Sequence, residues 1–352
     1  MKLFTVGPVQ MFDETLDIAS KQLPYFRDQE FSNMMLLMEK ELKMLLHLKQ
    51  GKVVFLTGSG SAAMESVVAC CFQSHHKVLI INGGSFGDRF VKLCACYHIP
   101  YDEIKVPFPQ AFSEDMLKNI DGTQYDALLV NIHETSTGQL YPIDVLSAFA
   151  KKHGLYFIVD AISSFLSDPF DMERYGIDCA ILSSQKALAC GPGISMLAFT
   201  DTFYEKMIEP KDDTCMYLSI KTHVENMKRG QTPNTPAVGI LLELAQRIHQ
   251  INICGVDQVL LDTKKKAMYF RKQVQELPVN IPKYPLSHTL TPIILPDHNA
   301  EEVYQYLKDK ANIYVTPNGG ELKYKMLRIG HLGNLCLEDY DILLRYLKEA
   351  LA

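Results

Sequence analysis

No Cys-x-x-Cys pair occurs in the 352 residues, and the nine cysteines follow no regular spacing. An odd, scattered set argues against a disulfide framework and for free thiols in a reducing compartment. Cys94-Ala95-Cys96 has the wrong spacing for a zinc knuckle, and Cys70-Cys71 lies in a helical run, so both read as packing. No metal site is expected. No apolar run approaches bilayer-spanning length, and the N-terminus lacks the charged-then-apolar pattern of a secretory signal. A cytoplasmic protein without membrane association is the expectation. Basic stripes are missing as well. The formal net charge of −6 disfavours nucleic acid as a partner, and Lys264-Lys265-Lys266 is short enough to be a solvated helix face. Internal repeats and low-complexity segments are absent.

What remains is an ordinary globular composition, 47% hydrophobic and 22% charged, in a chain long enough for roughly two domains. The pattern is organised around Ile181-Leu182-Ser183-Ser184-Gln185-Lys186-Ala187-Leu188-Ala189-Cys190-Gly191-Pro192-Gly193. Residues 178–182 form an apolar run expected to be a buried strand. It ends in small polar residues, a single lysine and a Gly-Pro-Gly turn. Lysines are mostly solvated, and a surface lysine after a strand is the plain reading. At the carboxyl end of a strand in an open α/β sheet, however, a lysine stands where ligands bind. In a dry pocket its pKa falls and its amine can attack a carbonyl. Upstream, Leu155-Tyr156-Phe157-Ile158-Val159-Asp160 is a run of β-formers ending in a carboxylate. That acid could simply cap a turn or helix. Together, Asp160 and Lys186 are the two groups that pyridoxal phosphate needs, an acid for the pyridinium nitrogen and an amine for the aldehyde.

Residues 52–57 read as a strand, Gly58-Ser59-Gly60-Ser61 as a glycine-rich turn, and residues 62–69 as a helix. Backbone N–H groups and a helix N-terminus then converge on an anion, which makes this a phosphate cradle. The same letters satisfy the dinucleotide fingerprint, Gly58-x-Gly60-x-x-Ala63. That reading requires an acid at the end of the next strand, where Asn82 stands.

Val159-Asp160-Ala161-Ile162-Ser163-Ser164-Phe165 and Ser183-Ser184-Gln185-Lys186-Ala187-Leu188 resemble the corresponding segments of class V aminotransferases, within the fold-type I pyridoxal phosphate enzymes. The nearest resemblance is to 2-aminoethylphosphonate:pyruvate and alanine/serine:glyoxylate aminotransferases, and it runs through nearly the whole chain. Asn82-Gly83-Gly84-Ser85-Phe86-Gly87-Asp88-Arg89 resembles the family's Asn-Gly-x-aromatic-Gly-x-Arg motif. His133-Glu134-Thr135-Ser136-Thr137-Gly138 resembles its His-x-Glu-[Ser/Thr]-[Ser/Thr]-Thr-Gly segment, one residue shorter between His and Glu. Arg328-Ile329-Gly330 opens its Arg-Ile-Gly-x-x-Gly motif.

The resemblance implies an α/β fold: a large, mostly parallel sheet sandwiched by helices, plus a smaller C-terminal α/β domain. Residues 1–254 would form an N-terminal arm and a large cofactor-binding domain, and residues 255–352 the small one. It implies pyridoxal 5'-phosphate as cofactor. Lys186 would carry it and Asp160 would pair with its ring nitrogen. Phe86 would stack on the ring, and Thr135 would hydrogen-bond near the ring hydroxyl. Ser59, Gly60, Ser61 and Gln185 would hold the phosphate, joined by Thr232 and Thr235 from a neighbouring subunit. Arg328 would bind a substrate carboxylate in two parallel hydrogen bonds. A homodimer with interfacial active sites follows, acting on a small amino donor and a 2-oxo acid such as pyruvate or glyoxylate. Gln185 and Phe86 stand where cysteine desulfurases of the class carry histidines, which favours transamination. Other class V chemistry of the lyase or desulfurase kind, or a catalytically silent binding subunit, are the alternatives. Arg27 resembles the arginine of a His-Arg-x-x-Glu-Phe pattern, with Phe26 replacing the histidine; a pair with Asp28 or Glu30 is the plain alternative. Asp88 and Arg89 are expected in structural pairs, and His133 and Glu134 as hydrogen-bonded loop residues rather than metal ligands.

Overall fold

The computed structural model describes all 352 residues, Met1 to Ala352. Thirteen strands, numbered in chain order, are β1 (Lys2–Phe4), β2 (Gly51–Thr57), β3 (Val78–Asn82), β4 (Tyr101–Lys105), β5 (Ala127–Asn131), β6 (His133–Glu134), β7 (Gln139–Leu140), β8 (Tyr156–Asp160), β9 (Cys179–Ser183), β10 (Ile194–Thr200), β11 (Leu290–Ile294), β12 (Ile313–Pro317) and β13 (Met326–Gly330). Seven build one sheet in the order β2-β10-β9-β8-β5-β3-β4. All its pairings are parallel except those of β10, which runs antiparallel to both β2 and β9.

Side chains alternate across a strand, and both faces of this sheet are dry. Val53 and Phe55 point into one apolar cluster, with Met35, Met38 and Leu42 of helix Gln29–Leu45. Val54 and Leu56 point into the other, with Met64, Val67 and Val68 of helix Gly60–Cys71. Covering both faces is what a parallel sheet requires. Helix Gln29–Leu45 starts where it does because Asp28 accepts a hydrogen bond from the Phe31 amide at 2.8 Å and caps it. Edge strand β4 and helices Gly87–Cys96 and Ile143–His153 are elements that sequence patterning does not single out.

After β3 the chain adds β4 on one side, then returns to place β5 on the other. The crevice beside that reversal, at the strands' carboxyl ends, is where a ligand site forms in open α/β sheets. The residues ending β5, β8 and β9 are Asn131, Asp160 and Ser183.

A second sheet has the order β1-β12-β13-β11 and is covered by helices Ala300–Ala311 and Leu337–Ala350. The N-terminal strand therefore sits in the sheet made otherwise of C-terminal residues. Lys2, Leu3 and Phe4 pair in parallel with Ile313, Tyr314 and Val315, and Lys2 makes a 2.8 Å ion pair with Asp339. The arm continues beside the smaller sheet. Gln10 bridges Gly333, and the Asn334 amide donates to the Gln10 carbonyl at 2.9 Å.

Gly333 has φ of 82°, and a Cβ there would overlap the Gln10 carbonyl oxygen. Both effects oppose any side chain. Gly333→Ala is expected to cost about 1–3 kcal/mol and lower the melting temperature by several degrees; an unchanged thermal transition would contradict this account of the arm.

Candidate active site

Lys186 lies three residues beyond β9 and is buried. Its Nζ donates to the Val6 carbonyl at 2.7 Å, so the N-terminal arm lies against it. A Cβ on Gly7 would fall 2.7 Å from that nitrogen, and only glycine permits this approach. Burial pulls the lysine down from 10.5 to about 8, and the positive charges of Arg328 and Arg89 push the same way, against the pull of Asp160. Asp160 ends β8 and accepts a hydrogen bond from the Ile162 amide at 2.9 Å. Burial raises its pKa to about 6, although that amide, Arg89 and Lys186 all favour its ionised form. The acid and the amine thus come from adjacent parallel strands, at their carboxyl ends.

Arg328 enters from β13 of the smaller sheet. Its Nη1 donates to the Thr135 carbonyl at 3.0 Å and its Nη2 to the Pro317 carbonyl at 2.8 Å. Its Nε–H is buried without a partner, and no carboxylate forms an ion pair with it. Burial lowers even this guanidinium from 12.5 to about 10. A buried cation whose only partners are carbonyls retains the capacity to pair with an anion.

The loop after β5 is tied down by its own polar side chains. Glu134 accepts from the Gly87 amide at 3.1 Å, the Ser136 amide at 3.0 Å and Asn131 Nδ2 at 2.9 Å. The Thr135 hydroxyl is 2.7 Å from that of Ser163, which in turn lies 3.0 Å from His133 Nδ1. His133 Nε2 has no partner, and burial lowers the imidazole pKa to about 4, keeping the ring neutral. His133 and Glu134 form the short strand β6, not the expected loop, and are hydrogen-bonded there; no group of three or more His, Cys, Asp or Glu is arranged to hold a metal ion.

Ser59 precedes helix Gly60–Cys71 and its side chain makes no cap hydrogen bond, which leaves the first-turn amides without a side-chain acceptor. The Ser61 hydroxyl accepts from Arg89 Nη1 at 2.7 Å, and the Arg89 guanidinium lies 4.9 Å from the Phe86 ring centroid. Asp88 makes the expected ion pair, with Lys92 at 2.7 Å. Arg89 does not: it turns into the site, close enough to influence both Asp160 and Lys186. Its spacing within the Phe86 turn was the available signal. Gln185 is half-buried and accepts from the Ser183 hydroxyl.

No hydrogen bond joins Thr232 or Thr235 to this cluster. Thr232 is buried and its hydroxyl donates to the Asn234 carbonyl at 2.8 Å, whereas Thr235 is exposed. Arg27 pairs with neither Asp28 nor Glu30. It clamps the segment before Thr235, donating to Gln231 Oε1 at 3.0 Å, the Thr232 carbonyl at 2.8 Å and the Pro233 carbonyl at 3.2 Å. The sequence separation of about two hundred residues hides that contact from any local pattern.

The profile described as aminotransferase class-V matches residues 24–328. An uncharacterized aminotransferase of Helicobacter pylori is 27% identical over 341 residues, 95% of this chain and 89% of that one. A 2-aminoethylphosphonate–pyruvate transaminase of Salmonella paratyphi A is 37% identical over 147 residues, 41% of this chain and 40% of that one. The crystal structure of an alanine–glyoxylate aminotransferase from Nostoc sp. superposes with a TM-score of 0.93 at 24% identity, covering 99% of this chain and 95% of that one. No helix here is long and apolar enough to cross a membrane.

The lowered lysine pKa carries a stability consequence. The unfolded chain binds the Lys186 proton more tightly than the folded one, so the buried ammonium destabilises below about pH 8, and this cost fades towards 10.5. In the cofactor-free chain, Lys186→Met is expected to raise stability at neutral pH by on the order of 2–3 kcal/mol, with the gain vanishing in strong alkali. Thermal melts across pH measure it; a gain that grows with pH contradicts the assigned shift.

Proposed function

Since the chain belongs to the class V aminotransferase family, we propose that Lys186 and Asp160 hold pyridoxal 5'-phosphate and that the protein moves an amino group from a small amino donor to a 2-oxo acid such as pyruvate or glyoxylate. The observation that carries this reading is a buried, unsatisfied constellation around one lysine. Lys186 is dry and held only by a carbonyl. Asp160 is a buried carboxylate with one amide donor. Arg328 Nε and His133 Nε2 are buried polar atoms without partners. Such groups are costly unless something completes them, and an aldehyde-bearing, anionic, protonated heterocycle with a carboxylate substrate beside it would supply each missing partner.

Bound there, pyridoxal phosphate supplies an electron sink for charge on the carbon that bears the amine. The chain's own residues do the rest. Asp160, ionised by a cationic partner, holds the proton on the ring nitrogen. Thr135, braced by Ser163, offers a hydroxyl towards the ring, and Phe86 offers a flat face. Ser59, Gly60 and Ser61 direct first-turn amides and hydroxyls at the phosphate, with the Gln185 amide beside them. Arg89, stacked on Phe86 and bonded to Ser61, adds positive charge to that end. Lys186, with its lowered pKa, releases a proton near neutral pH and can return it at the substrate carbon. Arg328 orients the substrate carboxylate.

In a homodimer, exposed Thr235 is the better placed of the two threonines to reach a neighbouring subunit, since the Thr232 hydroxyl is engaged within its own chain. Residues 1–254 and 255–352 remain our division of the chain into large and small domains, with β1 contributed to the smaller sheet. The pyruvate acceptor is supported by the Salmonella relative.

Reconstituted with pyridoxal phosphate and reduced with borohydride, the protein is expected to retain the cofactor on the peptide containing Lys186. Lys186→Ala is expected to lose both that label and the visible absorption, and to lower turnover by several orders of magnitude. A label on another lysine, or normal turnover in the variant, would overturn the assignment.

A further inference from the structure

The helix whose N-terminus forms the cradle, Gly60–Cys71, ends beneath a strap formed by residues 209–219. Helix ends leave carbonyls without partners, and the strap supplies them. Lys211 Nζ donates to the Cys71 carbonyl, and the Thr214 hydroxyl donates to the Ala69 carbonyl at 2.7 Å. In return, Ser66 Oγ donates to the Leu218 carbonyl at 2.7 Å. These contacts lower Cys215 onto Cys70, with the two sulfurs 3.6 Å apart. No other pair among the nine cysteines shares a sulfur–sulfur hydrogen bond. Cys71, Cys94, Cys179 and Cys190 are buried, and Cys96, Cys254 and Cys336 are exposed. Cys70 is buried, whereas Cys215 is partly exposed beside Met216, which is 81% exposed.

We propose that Cys70 and Cys215 form a peroxide-sensitive dithiol, in which Cys215 is oxidised first and Cys70 resolves it into a reversible intrachain disulfide. The Cys215 sulfur attacks one oxygen of hydrogen peroxide, the O–O bond breaks, and the departing hydroxide takes up the thiol proton as water. The Cys70 sulfur then attacks the Cys215 sulfenic sulfur, the S–O bond breaks, and a second water leaves with the Cys70 proton. Two sulfurs lose two electrons and one peroxide becomes two waters. The sulfurs must close from 3.6 Å to about 2.05 Å, a movement available to a strap residue facing a fixed helix.

The thiol environments run the same way. The hydrogen bond between the two sulfurs lowers the Cys215 thiol pKa, while that bond and burial push Cys70 up. Both shifts favour ionisation of the sulfur that peroxide can reach over the buried one, the condition for site-selective oxidation. Once formed, the bond pins the strap to the helix that carries Ser59, Gly60 and Ser61 at its other end. None of this rests on the role assigned to Lys186.

The holoenzyme, treated with hydrogen peroxide, alkylated and digested without reductant, is expected to yield one cross-linked peptide pair containing Cys70 and Cys215. Dithiothreitol should remove it, and the oxidised protein should melt several degrees higher than the reduced one. In Cys70→Ser, whose hydroxyl keeps a hydrogen-bond donor beside Cys215 but cannot form a disulfide, dimedone should label Cys215 ~10-fold faster than exposed Cys254, without a cross-link. Absence of the cross-link in the wild type, or preferential dimedone labelling of Cys96, Cys254 or Cys336 in Cys70→Ser, would overturn the proposal.

Discussion

A lysine ammonium removed from water loses its hydration, and in this protein the nearest replacement is a single neutral carbonyl. Lys186 donates to Val6 and is flanked by two further cations, Arg328 and Arg89. Such an arrangement persists only when the surrounding fold imposes it. Three parts of the chain do so. The parallel strands β8 and β9 deliver Asp160 and Lys186 to neighbouring positions. The N-terminal arm, anchored by β1, brings Val6 and Gly7 against the lysine. The smaller sheet inserts Arg328 from β13. Excess positive charge around a dry amine fits the anions proposed for the site, a cofactor phosphate and a substrate carboxylate.

The two sheets meet through a buried polar seam that reaches the site. Asp168 accepts from the Ser287 hydroxyl and from the His288 amide at 3.1 Å. The Thr289 hydroxyl donates to the Ser163 carbonyl and lies 2.6 Å from that of Ser167. Ser163 also contacts Thr135 and His133. The serine that braces the loop after β5 is thus itself held by the residues leading into β11. A hydrogen-bonded seam of this kind favours one relative arrangement of the two sheets over alternatives. The site depends on that arrangement, because Arg328 must meet the Thr135 carbonyl across it.

Much of this was legible in the chain before any coordinates. Asp160 and Lys186 each close an apolar run, and the parallel order of those runs follows from the intervening crossover. The cradle at Gly58 to Ser61 is a local strand-turn-helix pattern, and such patterns survive folding unchanged. What stayed hidden depends on contacts between distant residues. Arg27 reaches Gln231 to Pro233, Val6 reaches Lys186, and the first strand pairs with residues after position 312. No local periodicity encodes these. Arg89 was misassigned for a related reason: its neighbour Asp88 does form an ion pair, but helix Gly87–Cys96 directs consecutive side chains about 100° apart, so Arg89 points to Ser61 instead.

The central claim is that this constellation accepts an amine onto a cofactor held by Lys186. The most direct measurement mixes the cofactor-loaded protein, without any 2-oxo acid, separately with 2-aminoethylphosphonate, serine, alanine and aspartate, and follows the visible absorption of the bound cofactor. The account predicts rapid, stoichiometric loss of that absorption with at least one donor, and its return when pyruvate or glyoxylate is added. Absorption that persists with every donor, in protein shown to carry cofactor on Lys186, would contradict it.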